Sequence, residues 1–362
     1  MVGTITLVSG VAASMGEHDR NDALVATDGR PRRRLGRLFL LAGLVLAGLV
    51  VVAFFFGDRL SNLWHAENDL GNGFPLGALA DYVPEDSQAV LAVNVHQLLD
   101  SPRGREQMAP ALQYLIRHAG GRLRWMDLLG INPIDDLDYL QISFVPPSSG
   151  EPLWLIRGRF DRSRIQTGPD KLQETKLDPY RVWEYIDRRA KRSTIIAPVG
   201  DLFVAGESRG RVRAALKHAS NPRPIAVRDG TLREVLPQVD RRQTVWLAAS
   251  LKGLGSLSGI EDYWLRLLLR PLMAHAESVY GGILCAEDVR AELCFRAATE
   301  EDAASLEKSL LSIRDLAGEG ASLLVRQKEM LPLLRLLGSG EIRRDGTMIL
   351  LHSRLAADQL KK

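Results

Sequence analysis

The sequence predicts an α+β protein: an N-terminal transmembrane helix followed by an extracytoplasmic domain of two similar antiparallel-sheet and helix units. Three observations predict it. An uncharged apolar run lies near the N-terminus, short strands alternate with amphipathic helices after residue 81, and the order of those elements restarts near residue 241. The expected division is a disordered cytoplasmic tail at 1–34, a signal anchor at 35–57, a linker at 58–80, a first unit at 81–240 and a second at 241–362.

The 362 residues are 46% hydrophobic, 25% charged and 6% aromatic. These proportions belong to a folded chain and exclude the disordered, collagen-like and disulfide-scaffold classes. Lys and Arg number 47 and Asp and Glu 44, for a formal net charge of +3. Near balance excludes a whole-chain basic surface for nucleic acid.

From Leu38 to Gly57 the chain reads LFLLAGLVLAGLVVVAFFFG, without a charge. At about 1.5 Å per residue this run spans ~30 Å, the thickness of a bilayer's hydrocarbon core. Arg32, Arg33, Arg34 and Arg37 precede it, with Arg30 just before them, so the positive-inside rule keeps the N-terminus in the cytoplasm. The apolar run exceeds a signal peptide's usual h-region, and no small-residue cleavage site closes it, so an uncleaved single-pass anchor in the inner membrane is expected. Cleavage is the alternative. The tail is rich in Gly, Asp and Arg and lacks a sustained period, which leaves it unstructured. Residues 1–14 are apolar for such a tail, and Met15 opens a more ordinary polar stretch, so Met15 is the expected translation start.

The linker carries Gly71, Gly73, Pro75 and Gly77, a density that ends any helix. A turn at Val83-Pro84-Glu85-Asp86-Ser87 introduces the strand AVLAVNV. Ser101 caps a helix with Pro102 at its first position, and Trp125-Met126-Asp127-Leu128-Leu129 adds a helical turn. The strands DYLQISFV and LWLIRGRF follow, then a short helix capped by Asp161. RVWEYI, STIIAPV and DLFVAGE are further strands, the last two joined at Gly200-Asp201, and Ser208 caps the helix SRGRVRAALKHA.

A short helix at 229–237 precedes the restart, where TVWLAAS resembles AVLAVNV. A helix over 260–277 follows, and then a hairpin of SVYGGILCA and VRAELCFRA in the place of the earlier 138–160 hairpin. Thr299-Glu300-Glu301-Asp302 resembles a capping box opening another helix. Last, GTMILLHSRLAADQL aligns without gaps on DLFVAGESRGRVRAAL, setting Ser353-Arg354 on Ser208-Arg209. The alternation in LWLIRGRF and VRAELCFRA suits sheets covered by helices on one face. The two sheets either pack side by side or join, and a concave sheet or a cleft between halves is the default ligand position.

The two cysteines, Cys285 and Cys294, sit on that hairpin. A two-residue loop pairs Cys285 with Arg290 and Cys294 with Gly281, which puts both thiols on one face about 14 Å apart. That exceeds the ~7 Å Cα limit of a disulfide, so separate thiols are expected. A longer loop centred on Val289-Arg290 would bring them opposite each other.

Phosphate-loop, dinucleotide, zinc-protease and nucleophile-elbow patterns are absent from the sequence. Gly253–Gly259 is glycine-rich with the wrong spacing and reads as a connector. Seven scattered histidines show no ligand spacing, so neither a metal nor another cofactor is expected. Asp187 to Arg192 reads as a solvated turn, against a phosphate or headgroup patch. Asp135, Asp136 and Asp138 form the densest acidic cluster. After Asn132-Pro133 they read as a turn and strand entry, with a paired-carboxylate site as the alternative.

Val83-Pro84-Glu85-Asp86-Ser87, AVLAVNVHQLLDSP, GINPIDDLDYLQISF and LIRGRFDRSRI together resemble uncharacterised bacterial single-pass membrane-anchored proteins with a duplicated extracytoplasmic α+β domain. The likeness covers mainly residues 82–165. It implies the fold and carries no catalytic residue. The expected role is therefore a non-catalytic binding or envelope-scaffolding module whose partners are the lipid bilayer and an envelope protein, lipid or glycan. A sensor or partner-recruiting subunit is one alternative; an envelope hydrolase using Asp135, Asp136 or Asp138 is the other.

Overall fold

The computed structural model describes residues 82–100, 124–144, 152–168, 171–188, 191–220, 227–252, 270–286, 288–324 and 331–355. The expected tail, anchor and linker lie outside these residues, as do Arg32, Arg33, Arg34 and Arg37, the helix opening at Ser101 and the Gly253–Gly259 connector. No helix of the described residues is long and apolar enough to cross a membrane.

In chain order, β1 (Ala89–Asn94) leads into α1 (Val95–Leu99), followed by α2 (Arg124–Leu128), β2 (Leu137–Phe144) and β3 (Leu153–Gly158). After a 3-10 turn at Arg162–Arg164 come β4 (Leu172–Leu177), β5 (Tyr180–Asp187), β6 (Arg192–Val199), β7 (Leu202–Gly206) and α3 (Arg209–Ser220). The chain continues through α4 (Gly230–Val235), β8 (Val245–Ser250), β9 (Ala276–Cys285) and β10 (Val289–Ala297). The last elements are α5 (Glu300–Leu324), α6 (Leu331–Gly338), β11 (Glu341–Asp345) and β12 (Met348–Leu355).

The strands of the described residues form one twelve-stranded sheet in the order β11-β12-β10-β9-β8-β1-β2-β3-β7-β6-β5-β4. Every neighbouring pair is antiparallel. The fold is thus α+β, with the two sheets joined rather than stacked. Joining occurs at β1 and β8, where Ala89 pairs with Ala249, Leu91 with Leu247 and Val93 with Val245. From that seam one transverse row runs outward through Ile142, Trp154, Ala205 and Ile196 on one side. On the other it runs through Gly281, Leu293, Leu351 and Ile342.

The side-chain alternation of the strands builds two cores. On one face Leu91, Ile142, Trp154, Leu247 and Leu293 meet Leu98 of α1, Trp125 of α2, Leu306 of α5 and Leu336 of α6. On the other face Val90, Leu155, Val204 and Trp246 meet Val212 and Leu216 of α3 and Leu232 and Val235 of α4. Burial on both faces explains why AVLAVN and VWLAAS are near-continuous apolar runs. One-face coverage holds in β10 and β12, whose α3-side residues Arg290, Glu292, Leu350, His352 and Arg354 are exposed. It does not hold in β3, where LWLIRG is buried on both faces because helices cover the sheet on either side there.

Local chemistry places the elements. Asn94 ends β1 and caps α1, accepting the Gln97 N–H at 3.0 Å. Asp229 caps α4 through the Leu232 N–H at 2.8 Å. Thr299 caps α5, accepting the Asp302 N–H at 3.0 Å and giving its hydroxyl proton to the Asp302 carboxylate at 2.9 Å. The turn at 84–87 is fastened to the rest of the domain. Asp86 meets Arg211 of α3 at 3.1 Å, Glu85 meets Arg228 at 3.2 Å, and the Arg228 N–H donates to the Glu85 carbonyl at 2.7 Å.

Four expectations need correction. The helix over 260–277 ends by residue 275, since β9 starts at Ala276; residues 260–269 lie outside the described ones. The cysteine hairpin has a three-residue loop, closed by Ala286 N–H on the Asp288 carbonyl at 3.0 Å, because Asp288 turns inward to meet Arg290 and Arg354. Cys285 therefore opposes Val289 and Cys294 opposes Tyr280, which places the two free thiols on opposite faces. The gapless alignment of the two C-terminal segments sets against each other residues that lie on opposite faces of the sheet. It would match buried Ala205 with Leu350, which is 49% exposed on the other face, whereas the ladder row holds Ala205 and Leu351. Beyond these four, β4, β11, α1 and α6 are elements that the sequence pattern does not predict.

Candidate functional site

The acids singled out in the sequence lie where α2 turns into β2. Gly130 opens the turn at φ +69°, and a Cβ there would lie 2.4 Å from the Arg164 Cβ, so only glycine fits this approach. Asn132 organises the residues up to Asp136. Its Oδ1 accepts the Ile134 N–H at 3.1 Å, its Nδ2 donates to Asp135 Oδ2 at 2.6 Å, and its backbone N–H donates to Asp136 Oδ2 at 2.7 Å. The Asp136 N–H returns to the Asn132 carbonyl at 2.9 Å.

Arginines beyond β3 hold the turn from outside. Arg159 donates to the Asp135 carbonyl at 3.2 Å, and Arg164 approaches Asp136 Oδ2 at 3.5 Å. Asp138 belongs to β2 and is half-buried. The carboxylates of Asp135 and Asp136 are thus acceptors inside one Asx-type turn. Acid–base hydrolysis of the paired-carboxylate kind needs two carboxyls separated by a substrate-sized gap. This arrangement instead anchors β2 to the segment after β3.

Other polar groups are brought together by the fold from distant sequence positions. His275, ending a helical stretch at 270–275, places Nδ1 3.0 Å from Asp302 Oδ1 in the first turn of α5. Hydrogen bonds from His275 and then Thr299 hold the Asp302 carboxyl below the usual carboxylate range. Asp288, 5% exposed, meets Arg290 at 3.0 Å and also Arg354 of β12. A buried carboxylate between two guanidiniums is compensated charge, and here it locks the β9–β10 turn to β12.

The thiols are poor nucleophiles. Burial pushes Cys285 up to about 12, with the Thr244 hydroxyl a smaller, opposing influence. Burial also raises Cys294, against a lowering contact from Tyr280. At neutral pH both stay protonated. Among the described residues no group of three or more His, Cys, Asp or Glu is placed to hold a metal ion.

The basic run at 187–192 forms the tip of the β5–β6 hairpin; residues 189 and 190 lie outside the described ones. Arg192 there meets Glu207 at 3.7 Å, and the nearby Arg209 meets Glu184 at 3.0 Å while also donating to the Lys176 carbonyl. Of the histidines, His218 sits in the last turn of α3 and His352 on β12, 3.4 Å from Glu292 of β10.

The His275–Asp302 and Asp288–Arg354 pairings are not legible in the sequence. Their members are separated by 27 and 66 positions, with no periodic signal linking them. Thr299–Asp302 is legible because both partners fall within one capping motif.

No family description matches the chain, and no curated protein matches it. Among solved structures the chain is similar to crystal forms I and III of TP0453. Each is 12% identical with a TM-score of 0.41, covering 78% of this chain and 94% or 95% of the other.

Proposed function

We propose that this chain is a single-pass membrane protein whose extracytoplasmic domain serves as a non-catalytic binding or envelope-scaffolding module. The observation that carries the reading is the uncharged run Leu38–Gly57 with arginines concentrated on its N-terminal side. Such a run spans a bilayer, and the arginines fix its direction. In this reading residues 1–34 stay in the cytoplasm, 35–57 cross the inner membrane, and the domain from residue 81 stands outside on the 58–80 linker. Asp135, Asp136, Asp288, Asp302, His275 and His352 are engaged in the fold's own contacts, which favours binding over chemistry.

The domain in this proposal consists of two related units, 81–240 and 241–362. The support is the register. Leu91 and Leu247 pair at the seam, and each side then continues through four strands in the same sequence of pairings. Gly200 and Gly346 occupy the same place in two-residue turns between β6 and β7 and between β11 and β12, at φ +63° and +56°. The seam is self-complementary, as an isologous dimer contact is.

Detergent-solubilised full-length protein, captured under mild conditions and examined for bound lipid, glycan or protein, tests the binding role. A stoichiometric companion lost when the domain is removed supports it. Turnover by the purified domain in a hydrolase screen, abolished by a point substitution, would overturn it.

A further inference from the structure

We draw no further inference here: the strongest candidate, the open sheet face of β10, β12 and β11 around Leu350 and the Glu292–His352 pair, mixes cations with anions, and nothing in the structure shows what covers it.

Discussion

At the scale of single residues, the contacts that matter most join distant segments. Arg211 is almost enclosed, with 10% of its side chain exposed, and Asp86 is its anionic partner at 3.1 Å. Asp86→Ala leaves a mostly buried guanidinium with less compensation and should cost about 1–3 kcal/mol. A urea unfolding midpoint read on the domain measures this, and an unchanged midpoint would mean the pair contributes nothing. Two glycines make a sharper contrast. A Cβ on Gly281, at φ +132°, would lie 2.0 Å from the Glu292 carbonyl oxygen, whereas Gly346, at φ +56°, has open space around it. Gly346→Ala should cost only about 1–2 kcal/mol from the left-handed backbone. Gly281→Ala must force β9 from β10, and a thermal melt should show a much larger loss.

Asp302 makes the pH dependence local. Its carboxyl is held low in the folded state, so its stabilisation is fully present above the unfolded carboxylate value. It is lost as the pH falls through the lowered folded value. Asp302→Asn should therefore flatten the acid limb of the stability curve while leaving its alkaline side unaffected by this carboxyl. Equally steep acid limbs in the two proteins would contradict the assignment.

At the scale of elements, legibility follows burial. β1 and β8 are buried on both faces and announce themselves as AVLAVN and VWLAAS. The terminal strands do not. β4 has apolar residues only at its ends, Leu172 and Leu177, and β11 reads EIRRD, with all but Ile342 exposed. An edge strand needs no apolar alternation, and its charges serve another end. Antiparallel self-pairing of β11 centred on Arg343 would set Arg343 against its own copy and Glu341 against Asp345, opposing like charges. Replacing Glu341 and Arg343 together with Val should remove that protection, and light scattering should then show self-association that the parent lacks. The candidate acidic turn is legible for the reason the edges are not: Asn132 and its acids lie within five positions, so local chemistry suffices. The cysteine register is not, because Asp288 widens its turn to reach Arg354, a partner outside the hairpin.

For the whole molecule, the continuous sheet makes β1 and β8 mutually dependent. Separated, each would expose an unpaired edge with apolar side chains on both faces, an arrangement prone to uncontrolled pairing. The two segments 82–240 and 241–362, produced together, should therefore associate, and Leu247→Asp at the seam should abolish that association. The proposed role depends above all on place: an extracytoplasmic domain held by one N-terminal anchor. Protease added to spheroplasts, with carbonate washing of the membranes, tests it most directly. The expected result is a protein that stays with the washed membrane before digestion and loses its domain from residue 81 onward to external protease. Release by carbonate, or a domain protected until the cells are lysed, would contradict it.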